Sequence, residues 1–184
     1  NLIVKYGEIG AAVAADFYDE LRLEAGIKSR FKAVMADVIP NEQAEIATSW
    51  AVGPLFREDG TPDVDAVMSN LLDVTDRLVK QQYRNTINLS SMRDPAQARW
   101  TRVPSGAETC KFCLMLASRG PVYSTSAKAK QAHKYHGSCD CVPVPIWDDT
   151  DMARLKADTG YDPDEYYDRW QDAEEAEKAA KANK

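Results

Sequence analysis

The chain is poor in the residues that usually carry catalysis. It has 184 residues but only two histidines, His133 and His136, and four cysteines, all of them between Cys110 and Cys141. A Ser-His-Asp protease would have to use one of those two histidines, with Ser118 or Ser138 nearby, yet the Gly-x-Ser-x-Gly nucleophile motif is missing. A metal-dependent nuclease would face the same shortage. No apolar run reaches the length of a transmembrane helix, so no membrane association is expected. The N-terminus lacks a basic segment followed by an apolar stretch and a cleavage site. That speaks against general secretion and therefore against a disulfide framework. No compact Lys/Arg run is interleaved with aromatics, which argues against sequence-specific nucleic-acid reading. General disorder is excluded by 44% hydrophobic residues with four tryptophans and eight tyrosines. The length suits one or two small domains.

What is present is a concentrated thiol motif. Cys110-Lys-Phe-Cys113 is followed by His136-Gly-Ser-Cys139-Asp-Cys141. A CxxC on a tight turn aims two sulfurs at one centre. In an extended chain residues i and i+2 share a face, so Cys139 and Cys141 converge while Asp140 points away. The Val142-Pro-Val-Pro-Ile146 run that follows supports the extended conformation. Two converging pairs suit a tetrahedral ion, zinc above all, held by four of Cys110, Cys113, His136, Cys139 and Cys141. Two disulfides, buried free thiols and a redox CxxC are the competing readings. A structural site fits better than a catalytic one, because thiolates can fill every coordination position. Asp140 and Glu108 are the nearby acids that a catalytic site would need.

Charge is unevenly spread around a net of −6. Lys80 to Lys134 holds ten Lys/Arg against two acidic residues, net +8, whereas Asp148 to Glu177 holds three against twelve, net −9. The basic 80–134 segment could meet DNA phosphates non-specifically, meet an acidic partner, or receive the acidic tail folding back.

Periodicity predicts a mainly α protein. Residues 2–24 form an amphipathic helix with Tyr6, Ile9, Val13, Phe17 and Leu21 on one face, small residues (Gly10, Ala11, Ala12, Ala14, Ala15) that admit a close neighbour, and Gly26 as its stop. Asn41 caps a second helix to about Val52, with Ile46 and Trp50 one turn apart. Thr61-Pro62 opens the longest helix, whose seam is Val64, Val67, Leu71, Val74 and Leu78, running on to near Arg93. Residues 95–147 lose helical periodicity and read as short extended pieces. Asp162-Pro163-Asp164-Glu165 starts an acidic helix anchored by Tyr166 and Trp170. The expected organisation is a helical domain over 1–94, a small α+β Cys/His module over 95–147, and an acidic helical tail over 148–184.

The runs Trp100–Gly120 and His136-Gly-Ser-Cys139-Asp-Cys141-Val-Pro resemble minor head proteins of tailed phages. They are similar to the Mu protein F-like head morphogenesis family in its actinobacteriophage form, as are Tyr6–Leu23 and Trp50-Ala-Val-Gly-Pro-Leu55. The family pattern is a CxxC, a variable stretch, then a histidine shortly before a CxC. The family's usual proline after that histidine is Gly137 here, and its arginine between the last cysteines is Asp140. The resemblance implies a low-copy virion protein of the portal vertex or capsid interior, present in host cytoplasm during assembly, and the lack of a usable catalytic constellation adds the expectation that it is non-enzymatic. It implies contact with the portal or major capsid protein and a role in assembly or genome packaging and delivery. Some relatives are labelled capsid maturation proteases, which keeps an enzyme as the alternative.

Overall fold

The computed structural model describes residues 2–106, 108–124, 135 and 139–182. Six helices and one two-stranded sheet appear among them: α1 (Leu2–Glu24), α2 (Asn41–Ala51), a 3-10 turn (Gly53–Phe56), α3 (Val64–Arg93), β1 (Arg99–Val103), α4 (Lys111–Ala117), β2 (Val142–Ile146), α5 (Asp149–Thr159) and α6 (Pro163–Ala182). The mainly α expectation holds.

α1 and the second half of α3 lie side by side and run the same way. Ile3 clusters with Leu78, Gly7 faces Gln82, Gly10 faces Val79 and Tyr83, and Ala14 clusters with Ile87. The contact face of α1 is Ile3, Gly7, Ala11, Ala14, Tyr18 and Arg22. It is therefore the small-residue face, and the predicted apolar face is corrected: Tyr6, Ile9 and Val13 are exposed. Close approach explains the choice. A Cβ on Gly7 would lie 2.9 Å from Gln82 Cγ, so the two backbones come nearer than a large side chain permits. Gly7→Leu should cost about 1–3 kcal/mol by overpacking. A thermal melt should show that loss, whereas leucine at the exposed Ala12 should leave it unchanged.

Gly26 ends α1 as expected, at φ 71, with Gly26 N–H donating to Leu23 O and Ile27 N–H to Arg22 O. The following connector runs along α3 without a sheet partner among the described residues. Its amides are met by side chains instead: Ala33 N–H by Asp19, Val34 N–H by Ser90 Oγ, and Ala36 N–H by Thr86 Oγ1.

Two helix starts differ from the sequence reading. The N-cap position of α2 is Pro40, so Asn41 is its first helical residue. α3 is capped by Asp63, whose carboxylate accepts from Ala66 N–H, while Thr61 closes a turn on Asp59. The seam is also corrected. Val67 and Leu78 are buried, Leu71 and Val74 are half-buried, and Val64 is exposed.

β1 and β2 pair antiparallel, Thr101 opposite Val144. Thr101 is hydrogen-bonded to the Tyr161 hydroxyl at 2.5 Å, and Tyr161 donates to Ala117 O at 2.6 Å. One phenol thereby joins sheet, α4 and the start of α6. α5 begins with a capping box between Asp148 and Asp151 and stops at Gly160, φ 73. α6 begins as predicted, with Asp162 accepting from Asp164 N–H. It folds back on α4: Lys111 pairs with Glu174 at 2.8 Å and Glu177 at 2.5 Å. Tyr166 stacks on Tyr161, and Trp170 lies against Tyr167. No helix is long and apolar enough to cross a membrane among the described residues.

A candidate thiol metal centre

The segment between β1 and β2 contains a helix that periodicity missed. α4 is only seven residues long, and Cys110 is its N-cap, with Sγ accepting from Cys113 N–H at 3.4 Å. The expected tight turn is thus the start of a helix, and the expected run of short extended pieces is interrupted there. Cys113, on the first turn of α4, points inward and is fully buried.

Cys139 and Cys141 arrive from the other side on the extended approach to β2 and are likewise buried. Their convergence follows the predicted alternation. Asp140 between them turns outward, accepting from Gly106 N–H at 2.8 Å, while its carbonyl accepts from Ser105 Oγ at 2.6 Å. That pins the CxC to the loop after β1.

The result is a buried cluster of Cys113, Cys139 and Cys141, whose sulfurs lie within 4.8 Å of one another. None of the four cysteines is in a disulfide. Cys113 Sγ and Cys139 Sγ are 3.5 Å apart, too far for an S–S bond of about 2.05 Å. Two sulfurs on a tetrahedral zinc with Zn–S about 2.3 Å stand about 3.8 Å apart. The donor set therefore fits a thiophilic ion in chemistry and spacing. Cys110 is the exposed member and lies outside the three-sulfur cluster. His136 and His133 lie outside the described residues, as does Ser138, so the fifth predicted ligand and the histidine of either enzyme reading are not placed.

Two arginines that the sequence reading left unremarked frame the cluster. Arg84, on α3, is fully buried and donates from Nε to Cys141 O at 3.0 Å and from Nη2 to Cys139 O at 2.5 Å. Its Nη1 is buried and has no hydrogen-bond partner among the described residues. Arg102, on β1, is also fully buried, with Nη2 3.3 Å from Cys139 Sγ and 3.9 Å from Cys113 Sγ. The Tyr135 ring lies 4.0 Å from one guanidinium and 4.2 Å from the other. Arg102 was detectable in principle, since strand alternation sets it on the same face as Trp100, which is buried. Arg84 carried no such signal, because a helix of thirty residues has many polar positions and only the tertiary fold covers this one.

These surroundings set the proton distribution. Cys139 is held well below the usual thiol range by hydrogen bonds from Cys113 and Cys141, assisted by Arg102. Cys113 is pushed up, chiefly by donating to Cys139. Burial opposes the Arg102 charge, but Tyr135 and the three sulfurs outweigh it and hold the guanidinium above its ordinary value. Burial pushes the Tyr135 phenol up to about 12. The cluster is a place where negative sulfur is favoured and positive charge is already built in.

A family model described as VG15 protein matches residues 1–173. The chain belongs to the VG15 protein family. Among curated relatives, the Gene 15 protein of Mycobacterium phage D29 is 31% identical over a 115-residue alignment covering 45% of this chain and 42% of the relative. The Gene 15 protein of Mycobacterium phage L5 is 27% identical over a 185-residue alignment covering 75% of this chain and 59% of the relative. This VG15 chain therefore spans about half the length of these relatives, and it is a phage protein by family. No solved structure matches it.

Seven of the ten basic residues of the 80–134 segment are among the described residues, and four of those seven are engaged within the chain. Arg84 and Arg102 are buried in the thiol cluster. Lys80 pairs with Asp76, and Lys111 is held by Glu174 and Glu177 of the acidic tail. Arg93, Arg99 and Arg119 are exposed, and Lys128, Lys130 and Lys134 lie outside the described residues.

Proposed function

We propose that this chain is a minor head protein of a tailed phage that acts at the portal vertex or capsid interior during assembly and genome packaging or delivery. We further propose that a structural zinc holds its central module together. The observation that carries this reading is the thiol cluster. The same segment that resembles Mu protein F-like head proteins folds into three buried, converging sulfurs, and the family members found are mycobacteriophage proteins.

Cys113, Cys139 and Cys141 would supply three ligands, with Cys110 or His136 the fourth. Zinc would contribute a fixed tetrahedral crosslink and no redox chemistry. Charge favours Cys110. Four thiolates around a divalent ion sum to −2, which matches the two guanidinium charges of Arg84 and Arg102, whereas three thiolates and an imidazole sum to −1. Cys110 is also one helical turn from Cys113, where side chains are neighbours.

The chain's own residues do the structural work. α4 presents Cys113, the approach to β2 presents Cys139 and Cys141, and Arg84 ties both carbonyls of the CxC to the long helix. Closing the cluster therefore locks the sheet, α4 and the α1–α3 pair in one arrangement. A rigid module of this kind suits a subunit that must hold one pose on a large assembly. Contact with packaged DNA would fall to Arg93, Arg99, Arg119 and the lysines of 128–134 and would be non-specific. The test is mass spectrometry of purified particles, with affinity purification of the portal protein from infected cells. The chain should be found in particles and should copurify with portal. Its absence from both would overturn the reading.

A further inference from the structure

α2, the 3-10 turn and the first part of α3 form an antiparallel hairpin at one end of the molecule. Ala44 and Ala47 of α2 cluster with Leu78 and Val74, Asn70 Nδ2 donates to Ala51 O, and Asp63 N–H donates to Pro54 O. α1 begins beside Val74 and Leu78, so the hairpin between Ala47 and Leu72 has no third helix against it among the described residues.

This arm buries little and exposes much. Its buried apolar residues are Ala44, Ala51 and Val67. Trp50 is 80% exposed and Phe56 81%, with Ile46, Val64, Met68 and Leu72 each more than half exposed. Single exposed leucines are ordinary, but this density on one short hairpin marks a contact surface. Tryptophan and phenylalanine at the tip are the residue types that anchor protein interfaces. A groove of about 340 Å³ between α2 and α3 runs beside Trp50, and another of about 500 Å³ flanks Ile46 and Trp50 on the far side.

The charge around these residues is predominantly acidic, with Arg57 beside Phe56 and Arg77 on the wall of the groove between α2 and α3 as the exceptions. From Asn41 to Asp76 there are eight acidic residues and one basic, Arg57, a net of −7. Glu42 and Glu45 lie on the wall of the Ile46–Trp50 groove. A second copy of this arm would bring −7 against −7, and a nucleic acid would be repelled outright. The complementary occupant carries an apolar pocket ringed by lysine and arginine.

We infer that the α2–α3 arm is the surface by which this chain docks onto another protein of the assembly, with Trp50 and Phe56 inserted into an apolar pocket that has a basic rim. The inference is independent of the metal centre and takes from the proposed function only the expectation that the partner is a head protein.

The experiment places a photo-crosslinking phenylalanine at position 50 or 56 of the full protein in phage-infected cells, and at the exposed Val13 as a control. The crosslinked protein is identified by mass spectrometry, purified, and titrated with wild-type and variant chains at low and high salt. Positions 50 and 56 should give one crosslinked protein through a lysine- or arginine-bearing surface, and Val13 should not. Trp50→Glu with Phe56→Glu should weaken binding on the order of 1,000-fold, the equivalent of about 2 kcal/mol for each of two hot-spot residues. The thermal melt should be unchanged, because both side chains are exposed. Glu42→Lys with Glu45→Lys should weaken binding and flatten its salt dependence. Crosslinking to a second copy or within the same polypeptide, no crosslink at all, or binding indifferent to the arm variants would overturn the inference. A portal complex indifferent to these variants would remove the arm but leave the proposed function. A basic-rimmed partner from outside the head would keep the arm as a docking surface but overturn its assignment to a protein of the assembly.

Discussion

Cys139→Ser protein is expected to purify without zinc and to melt far below the wild type, which should carry one zinc per chain. Cys139 is one of the three buried sulfurs of the cluster. It is 3.5 Å from Cys113 Sγ and 3.3 Å from Arg102 Nη2. Replacing its thiol with a hydroxyl removes one of the proposed zinc ligands and takes the nearest sulfur away from the buried Arg102 guanidinium. Structural zinc contributes about 10–16 kcal/mol of apparent binding free energy in small peptides. A chain whose whole stability is of order 5–15 kcal/mol cannot absorb much of such a loss. Elemental analysis and thermal melts make the comparison, and a chelator added to wild type should reproduce the variant. Cys110→Ser should lose metal as well, while His136→Ala should keep it if the ligand set is four thiolates. Wild-type protein that is zinc-free and still folds to the same melting temperature would sink the metal reading.

Replacing Asp94 should be nearly as damaging, although no site chemistry depends on it. The sequence shows Asp94-Pro95 only as the end of a helix. In the fold its side chain is fully buried and accepts from Tyr18 Oη at 3.0 Å, Arg22 Nε at 2.9 Å, Trp147 Nε1 at 3.2 Å and Ala96 N–H at 2.9 Å. One carboxylate therefore joins α1, the end of α3 and the joint between β2 and α5. Asp94→Ala strands the buried Arg22 and orphans two ring donors. Breaking a buried pair in this way costs about 3–5 kcal/mol. At about 2–4 °C per kcal/mol for a chain of this size, the melting temperature should fall by roughly 6–20 °C.

The same group predicts an acid limb. Burial pushes the Asp94 carboxyl up, but hydrogen bonds from Arg22, Ala96 and Tyr18 win and hold it below the ordinary carboxylate range. A depressed folded-state pKa means that the contribution is complete above the unfolded value of about 3.9 and is lost as pH falls through the folded value. Asp94→Asn should therefore lower stability at neutral pH and flatten its decline below about pH 4, as followed by chemical denaturation at stepped pH. An unchanged acid limb in that variant would refute the assignment.

Much of the architecture is legible in the chain alone, because it depends on local chemistry. α1 ends at Gly26 since a left-handed residue is needed there. α6 starts at Asp162-Pro163 since an acceptor side chain and a preset φ favour a helix start. The Cys139-Asp-Cys141 convergence follows from extended-chain alternation. α4 was hidden because seven residues are too few to display a helical period.

What the sequence by itself determined is which segments are helices and which one carries the thiols, since caps, breakers and spacing act over a few residues. Tertiary structure alone decided which face each helix buries and which charges surround the sulfurs. α1 carries both an apolar stripe and a small-residue stripe, and α3 selects the small one because only glycine and alanine let two backbones approach closely enough to enclose Gln82. Arg84 is one polar residue among many on α3 until the chain returns 55 residues later and sets the Cys139 carbonyl on its guanidinium. Burial and long-range pairing are properties of the assembled molecule, and no local pattern encodes them.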